Sequence, residues 1–189
     1  LKNLKTISKD KNKLLFFVSR MLYTDGLITL FSFGGIYATG TFDFSFNDII
    51  IFGIAINIAA AIGAYAFGFI EDKIGIKKVI IISLTFLILI CLLILLIKSK
   101  IYFWIFGTML GLFIGSIQSS SRTALISLSN QNNINSLFGV YATSGKITNF
   151  LGPFLVGSFT IIFASQKAGM ATILIFLLLG LILFSRVRL

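Results

Sequence analysis

The 189 residues are 57% hydrophobic and only 12% charged, and the mean hydropathy is +1.03; a soluble domain carries roughly a quarter charged residues. Sixteen Lys and Arg against six Asp and Glu give a net charge of +10. These basic residues sit between apolar runs, as loop charge at a membrane surface does, and they do not point to nucleic acid. His is absent, which removes the usual imidazole metal site and proton shuttle, and the single cysteine, Cys91, excludes an intrachain disulfide.

Residues 1–13 are polar and lysine-rich with no cleavage-like site, and they read as a cytoplasmic basic segment. The sequence begins with Leu1 rather than Met, which is read as a sign of a fragment. Residues 14–188 read as an all-α bundle of six transmembrane helices, at about 14–40, 48–70, 79–97, 101–128, 136–164 and 168–185. Each meets the requirement of about 20 mostly apolar residues. The third, "VIIISLTFLILICLLILLI", has no charge at all. The first, fourth and fifth exceed the hydrocarbon thickness and are expected to tilt, kink or project.

Loop charge sets the orientation. Placing the N-terminus in the cytoplasm gathers Lys2, Lys5, Lys9, Lys11, Lys13, Lys73, Lys77, Lys78, Arg122, Arg186 and Arg188 on that side, against Lys98, Lys100 and Lys167 opposite. Both termini are therefore expected to be cytoplasmic, with the chain in a bacterial inner membrane. Phe42, Phe44, Phe46, Tyr102, Phe103 and Trp104 are expected to form an aromatic belt at the outer interface.

A shift of 89 residues lays the first three spans on the last three without a gap, and "GAYAFGF" (63–69) falls on "GPFLVGS" (152–158). With three spans per unit the second is inverted, so the pattern reads as a 3+3 inverted repeat, as within each half of a major-facilitator transporter. Chance overlap of evenly spaced apolar segments would give the same register.

The loop "GFIEDKIGIKK" (68–78) resembles the signature loop of the major facilitator superfamily at Gly68, Asp72, Lys73, Gly75, Lys77 and Lys78, although Ile76 stands where a basic residue is usual. Gly68 is expected to allow close helix approach, Gly75 to make the turn, and Asp72 to face the N-terminal end of a neighbouring helix. "RMLYTDGLITLFSFGGIYATGTF" (20–42), "SIQSSSR" (116–122) and "SGKITNFLGPFLVG" (144–157) resemble the C-terminal half of that superfamily's vacuole-effluxer-like branch, the unknown major facilitator-1 family. The resemblance implies half of a twelve-span secondary transporter that works in a lipid bilayer on a small-molecule solute. It also implies that the half acts with a missing N-terminal six-helix half, or with a second copy. Amino-acid efflux is implied by fungal members of the family.

Arg20 and Asp25 place charge inside the first span, at a cost of about 2.5–3.5 kcal/mol each on insertion scales. At 1.5 Å per residue Asp25, Lys146 and Asn57 all fall near the bilayer midplane. Asp25 and Lys146 are expected to pair in at least one state beside a solute cavity, with Asp25 changing protonation. A fixed structural pair, or Lys146 turned to the missing half, are the alternatives. Asp25, Thr29 and Ser32 share one helical face of the first span. Gly53, Asn57, Ala60, Ala64 and Gly68 form a small-residue stripe on the second, and Gly107, Gly111, Gly115, Gln118 and Arg122 form one on the fourth. Asp25, Thr29 and Gln118 are the leading substrate-side residues, with Asn57 and Lys146 beside them. Arg20 and Arg122 read as gating or structural residues, and the Gly152–Pro153 pair as a kink.

No phosphate-cradling glycine loop is present, no catalytic cluster or metal set stands out, and no cofactor is implied. A membrane-embedded enzyme and a non-transporting membrane assembly subunit are the rival readings, and midplane charge disfavours the second.

Overall fold

The computed structural model describes residues 10–129 and 134–189. Lys2, Lys5 and Lys9, and with them most of the expected basic segment, lie outside the described residues. Seven helices follow one another in the described chain: α1 (Lys11–Phe42), α2 (Phe46–Ile74), α3 (Ile76–Leu96), α4 (Lys100–Ser127), α5 (Ile134–Ile147), α6 (Leu151–Ile162) and α7 (Gln166–Ser185). No strand occurs among the described residues. α1, α2, α3, α4 and α7 are each long and apolar enough to cross a membrane.

The expected fifth span, 136–164, is not one helix. It breaks at Thr148–Phe150 into α5 and α6, of 14 and 12 residues, each too short to cross alone. The Gly152–Pro153 pair was expected to bend a continuous helix; instead a new helix starts just before it. Pro153 occupies the first turn of α6, where its missing N–H removes no helical hydrogen bond. Leu151 N–H donates to Thr148 O at 2.9 Å, which closes the turn that interrupts the helical run.

Local chemistry sets the starts of the first three helices. The Asp10 carboxylate accepts from the N–H groups of Asn12 and Lys13 and starts α1. Ser45 and Asp48 form a reciprocal capping box at the head of α2. Gly75, at φ 90°, makes the one-residue joint between α2 and α3, as the turn expected of it requires.

α4 packs along α2 and α3, while α7 packs along α1, α3 and α6. The α2–α4 contact is made at glycines. A Cβ on Gly115 would collide with the Ala60 carbonyl, and one on Gly63 with the Leu112 carbonyl. A Cβ on Gly111 would lie 3.0 Å from Ala59 Cβ. The stripe expected on α4 thus packs as foreseen through Gly107, Gly111 and Gly115. On α2 the buried contact is made by Ala59, Ala60 and Gly63, whereas nothing lies within 4 Å of a Cβ on Gly53 or Gly68. The close approach expected of Gly68 is absent. Apart from Asn57 the middle of α2 is apolar or small on every side, so polarity does not separate its inward face from the expected stripe. Its other faces leave Ile51, Ile54, Ile58, Ile62 and Phe69 exposed, as lipid contact allows.

At one end of the bundle Lys100 pairs with Asp48 at 2.7 Å, joining α4 to α2. The expected aromatic belt divides here. Phe42, Phe44 and Phe103 are buried against one another and Phe52, while Phe46 and Tyr102 are exposed. At the opposite end the Asn12 amide exchanges two hydrogen bonds with the backbone of Arg188, of 2.7 and 2.8 Å. The start of α1 and the end of the chain therefore lie side by side.

Candidate functional site

Two clusters of polar side chains lie within the apolar bundle, on different faces of α1. The first joins α1 to the start of α6. Asp25 and Thr29, one turn apart, are both fully buried. Thr29 Oγ1 donates to the Asp25 carbonyl at 2.7 Å, so the hydroxyl is satisfied within α1. Asp25 Oδ2 accepts from the backbone N–H of Gly152 at 3.0 Å. The carboxylate thus sits on the N-terminal end of α6, where free N–H groups and the helix dipole favour negative charge. Gly152 is required by the contact, because a Cβ there would run into Thr29 Oγ1 and lie 3.0 Å from Thr29 Cβ. Asp25 Oδ1 has no hydrogen-bond partner, and neither do the buried Thr148 Oγ1 and Asn149 Oδ1 of the break itself.

The expected Asp25–Lys146 pair does not form in this conformation. Lys146 is exposed in the last turn of α5, where its charge suits the C-terminal end of that helix. The break separates it from the α6 N-terminus that takes the carboxylate instead. Asn57 does not join them. It is exposed on α2, donates from Nδ2 to Gly53 O at 2.8 Å, and lines an apolar cavity of about 160 Å³ with Phe31, Phe52 and Phe103. Ser32 is exposed as well.

The second cluster lies between α1, α4 and α5, around a cavity of about 210 Å³. Arg20, Gln118 and Arg122 share its wall with Tyr23, Ser121 and Tyr141. Gln118 is thus separated from Asp25 and Thr29, which face α6. Arg20 does not snorkel to the surface as its depth allowed; it is 9% exposed. Its Nη1 donates to Tyr141 O at 2.8 Å and Ser144 Oγ at 3.1 Å, and its guanidinium carbon stands 3.3 Å from the centre of the Tyr141 ring. Tyr23 and Ser121 hydroxyls meet at 2.8 Å and tie α1 to α4 behind the cavity. The Arg20–Tyr141 contact spans 121 residues, and no local pattern announced it.

In the 68–78 loop, Asp72 is exposed and makes no ion pair or side-chain hydrogen bond among the described residues. The neighbouring Glu71 reaches α4 instead, accepting a hydrogen bond from Ser120. Lys73 and Lys78 are exposed and Lys77 is half-buried. Asp72 was expected to face a helix end, but the last turn of α2 directs Glu71 inward and Asp72 outward.

The family described as vacuole effluxer Atg22 like matches this chain over residues 1–189. A relative in Bacillus subtilis (strain 168), named an uncharacterized MFS-type transporter, YxiO, is 19% identical over 182 residues. That alignment covers 96% of this chain and 42% of the relative, so the chain spans less than half of the relative's length.

Proposed function

The chain belongs to the vacuole effluxer Atg22-like family, and from that premise we propose that it is the C-terminal half of a secondary transporter. It is an integral membrane protein of helical architecture. In this reading residues 14–188 form six crossings, the fifth made by α5 and α6 together, behind a basic segment at 1–13. Both termini lie in the cytoplasm, a placement supported by the loop charges and by the Asn12–Arg188 contact at one end of the bundle.

Helix positions support a 3+3 inverted repeat. α1 and α4 begin at Lys11 and Lys100, α2 and α5 at Phe46 and Ile134, and α3 and α7 at Ile76 and Gln166, close to the 89-residue shift found in the sequence. The two units would rock against a second half, either the N-terminal six helices or another copy, to give alternating access to a small solute.

The observation that carries the reading is the buried Asp25 carboxylate on the restarted helix α6. A discontinuous helix whose N-terminus meets an ionisable group within the membrane is costly in a passive scaffold, and is a recurrent device of transporters. Protonation of Asp25 weakens the charge-assisted bond to Gly152 and frees α6 to move against α1. The bond thus links proton occupancy to helix position. The solute is amino-acid-like and moves outward, in keeping with the effluxer family.

Proteoliposomes of the full-length protein, loaded with a pH-sensitive dye and given a mixture of amino acids, test this directly. Amino-acid-dependent proton flux, lost in Asp25→Asn, is the expected result. Flux that persists unchanged in Asp25→Asn removes Asp25 as the proton carrier, and no flux with any amino acid removes the amino-acid reading.

A further inference from the structure

We propose that the cavity between α1, α4 and α5 binds the carboxylate of a small organic anion with an apolar body, with Arg20 as the principal ligand and Arg122 as a second cation. This rests on the transport reading, but puts a simple carboxylate anion in place of its amino-acid-like solute.

Arg20 is a buried cation without a counter-ion. The ion pairs among the described residues are Lys13–Asp10 and Lys100–Asp48, neither near it. Its two hydrogen-bond acceptors, the Tyr141 carbonyl and the Ser144 hydroxyl, are neutral. Neutral acceptors and the Tyr141 ring orient a guanidinium, but they do not cancel its charge, and charges held within a membrane pair or line a solute path. The cavity wall contains two arginines, Arg20 and Arg122, and no Asp or Glu. An anion is what that wall lacks.

The free part of Arg20 also specifies the geometry of the anion. Nη1 is the nitrogen used in the contacts to α5. Nε is buried with no partner, and Nη2 donates no hydrogen bond among the described residues. Nε and Nη2 form one edge of the planar guanidinium; Nη2 is the accessible nitrogen of that edge, and a carboxylate completes two parallel N–H···O bonds when its seating uncovers Nε, which is buried in this conformation. The stack on Tyr141 fixes the plane of the fork, and the close approach of Gly145, whose Cβ would stand 3.3 Å from Nη1, fixes its position.

Beside the arginines and the hydroxyl groups of Tyr23, Thr24 and Ser121, the wall has an apolar part formed by Leu27, Ile28, Phe31 and Ile117. These receive a hydrocarbon or aromatic body, while the Gln118 amide offers a neutral polar contact. Because this wall has no carboxylate for an ammonium group, it favours a simple anion over a zwitterion. A phosphate would find charge here but no use for the apolar side.

Calorimetric titration of the purified full-length protein with phenylacetate, phenylacetamide and inorganic phosphate tests the assignment. Phenylacetate is expected to bind at least about tenfold more tightly than its neutral amide, because only the acid fills the two-bond edge. Arg20→Lys keeps the charge but loses the fork, and is expected to weaken phenylacetate about tenfold. The exposed Arg122→Gln, which removes no described contact, is expected to weaken it severalfold. Equal affinity for acid and amide, binding of phosphate alone, no phenylacetate binding, or unchanged affinity in both variants would each overturn the site. Solute-dependent flux without phenylacetate binding overturns the anion site and leaves transport standing. Phenylacetate binding without flux of any solute does the reverse.

Discussion

The Asp25 carboxylate accepts a 3.0 Å hydrogen bond from the backbone N–H of Gly152, which lies 127 residues further along the chain. An N-cap is usually supplied by a residue next to its helix; here the acceptor comes from a different helix, in the middle of α1. The consequence is that a buried acid and the start of α6 hold each other in place. Asp25→Ala removes the acceptor and is expected to cost about 1–2 kcal/mol of stability, as loss of a good cap does. Asp25→Asn retains an oxygen acceptor and is expected to lose less. Thermal unfolding in detergent ranks the two, and a ranking in which Asn is the worse would mean that the charge itself matters more than the bond.

Gly152 is the other side of the same contact. In Gly152→Ala the new methyl meets Thr29 Oγ1, and α6 must move away from α1 at a cost of about 1–3 kcal/mol. Thr29→Ala removes the hydroxyl and is expected to relieve part of that cost when the two are combined. A double-mutant cycle on the unfolding temperature reads the coupling, and simple additivity would show that the methyl clashes with something else.

Much of the bundle was legible because membrane spans are written in composition. α1, α3, α4 and α7 fall close to the apolar runs, and the α4 glycine stripe packs as its spacing required. The α5–α6 break was not legible, because Gly152–Pro153 reads equally as a bend, and its cap comes from Asp25 across the bundle. The same limit hid Arg20. Depth alone allowed it to reach the surface, and only the fold brings Tyr141 and Ser144 beside it. Midplane depth placed Asp25, Asn57 and Lys146 on one level, but depth carries no information on which way a helix is rotated, and the three face different surroundings.

The glycines of α2 separate into Gly63, outside the expected stripe, and Gly53 and Gly68 within it. Gly63→Ala drives a methyl into the Leu112 carbonyl, which as backbone cannot rotate away. It is expected to destabilise the α2–α4 pair by about 1–3 kcal/mol. Gly53→Ala and Gly68→Ala, with open space around the new methyl, are expected to be neutral or slightly stabilising through helix propensity. Detergent melting curves for the three variants decide whether the packing face runs through Gly63.

In the 68–78 loop, the inward-facing acid is Glu71. Glu71→Ala leaves the half-exposed network with Ser120 unmade, at an expected cost of about 1 kcal/mol, whereas Asp72→Ala removes no described contact and is expected to leave the melting temperature nearly unchanged. Ser120→Ala should reproduce the Glu71 effect and add little to it. A larger loss for Asp72→Ala would mean that Asp72 meets a partner beyond the residues described.

Pro153 gives the sharpest test of what separates α5 from α6. If the ring were responsible, its removal would let α5 and α6 fuse, since Pro153 N would then donate to Asn149 O. The structure assigns the break to the turn at Thr148–Phe150 and to the Asp25 cap, both present without the ring. Hydrogen exchange of the 148–151 amides distinguishes these. Pro153→Ala alone is expected to leave their exchange as fast as in the wild type, because Gly152 N–H remains committed to Asp25. The pair Asp25→Ala and Pro153→Ala removes both obstacles, and is expected to slow exchange as a continuous helix forms. Slowed exchange in Pro153→Ala alone would return the break to the proline and reduce Asp25 to an occupant of an end made without it.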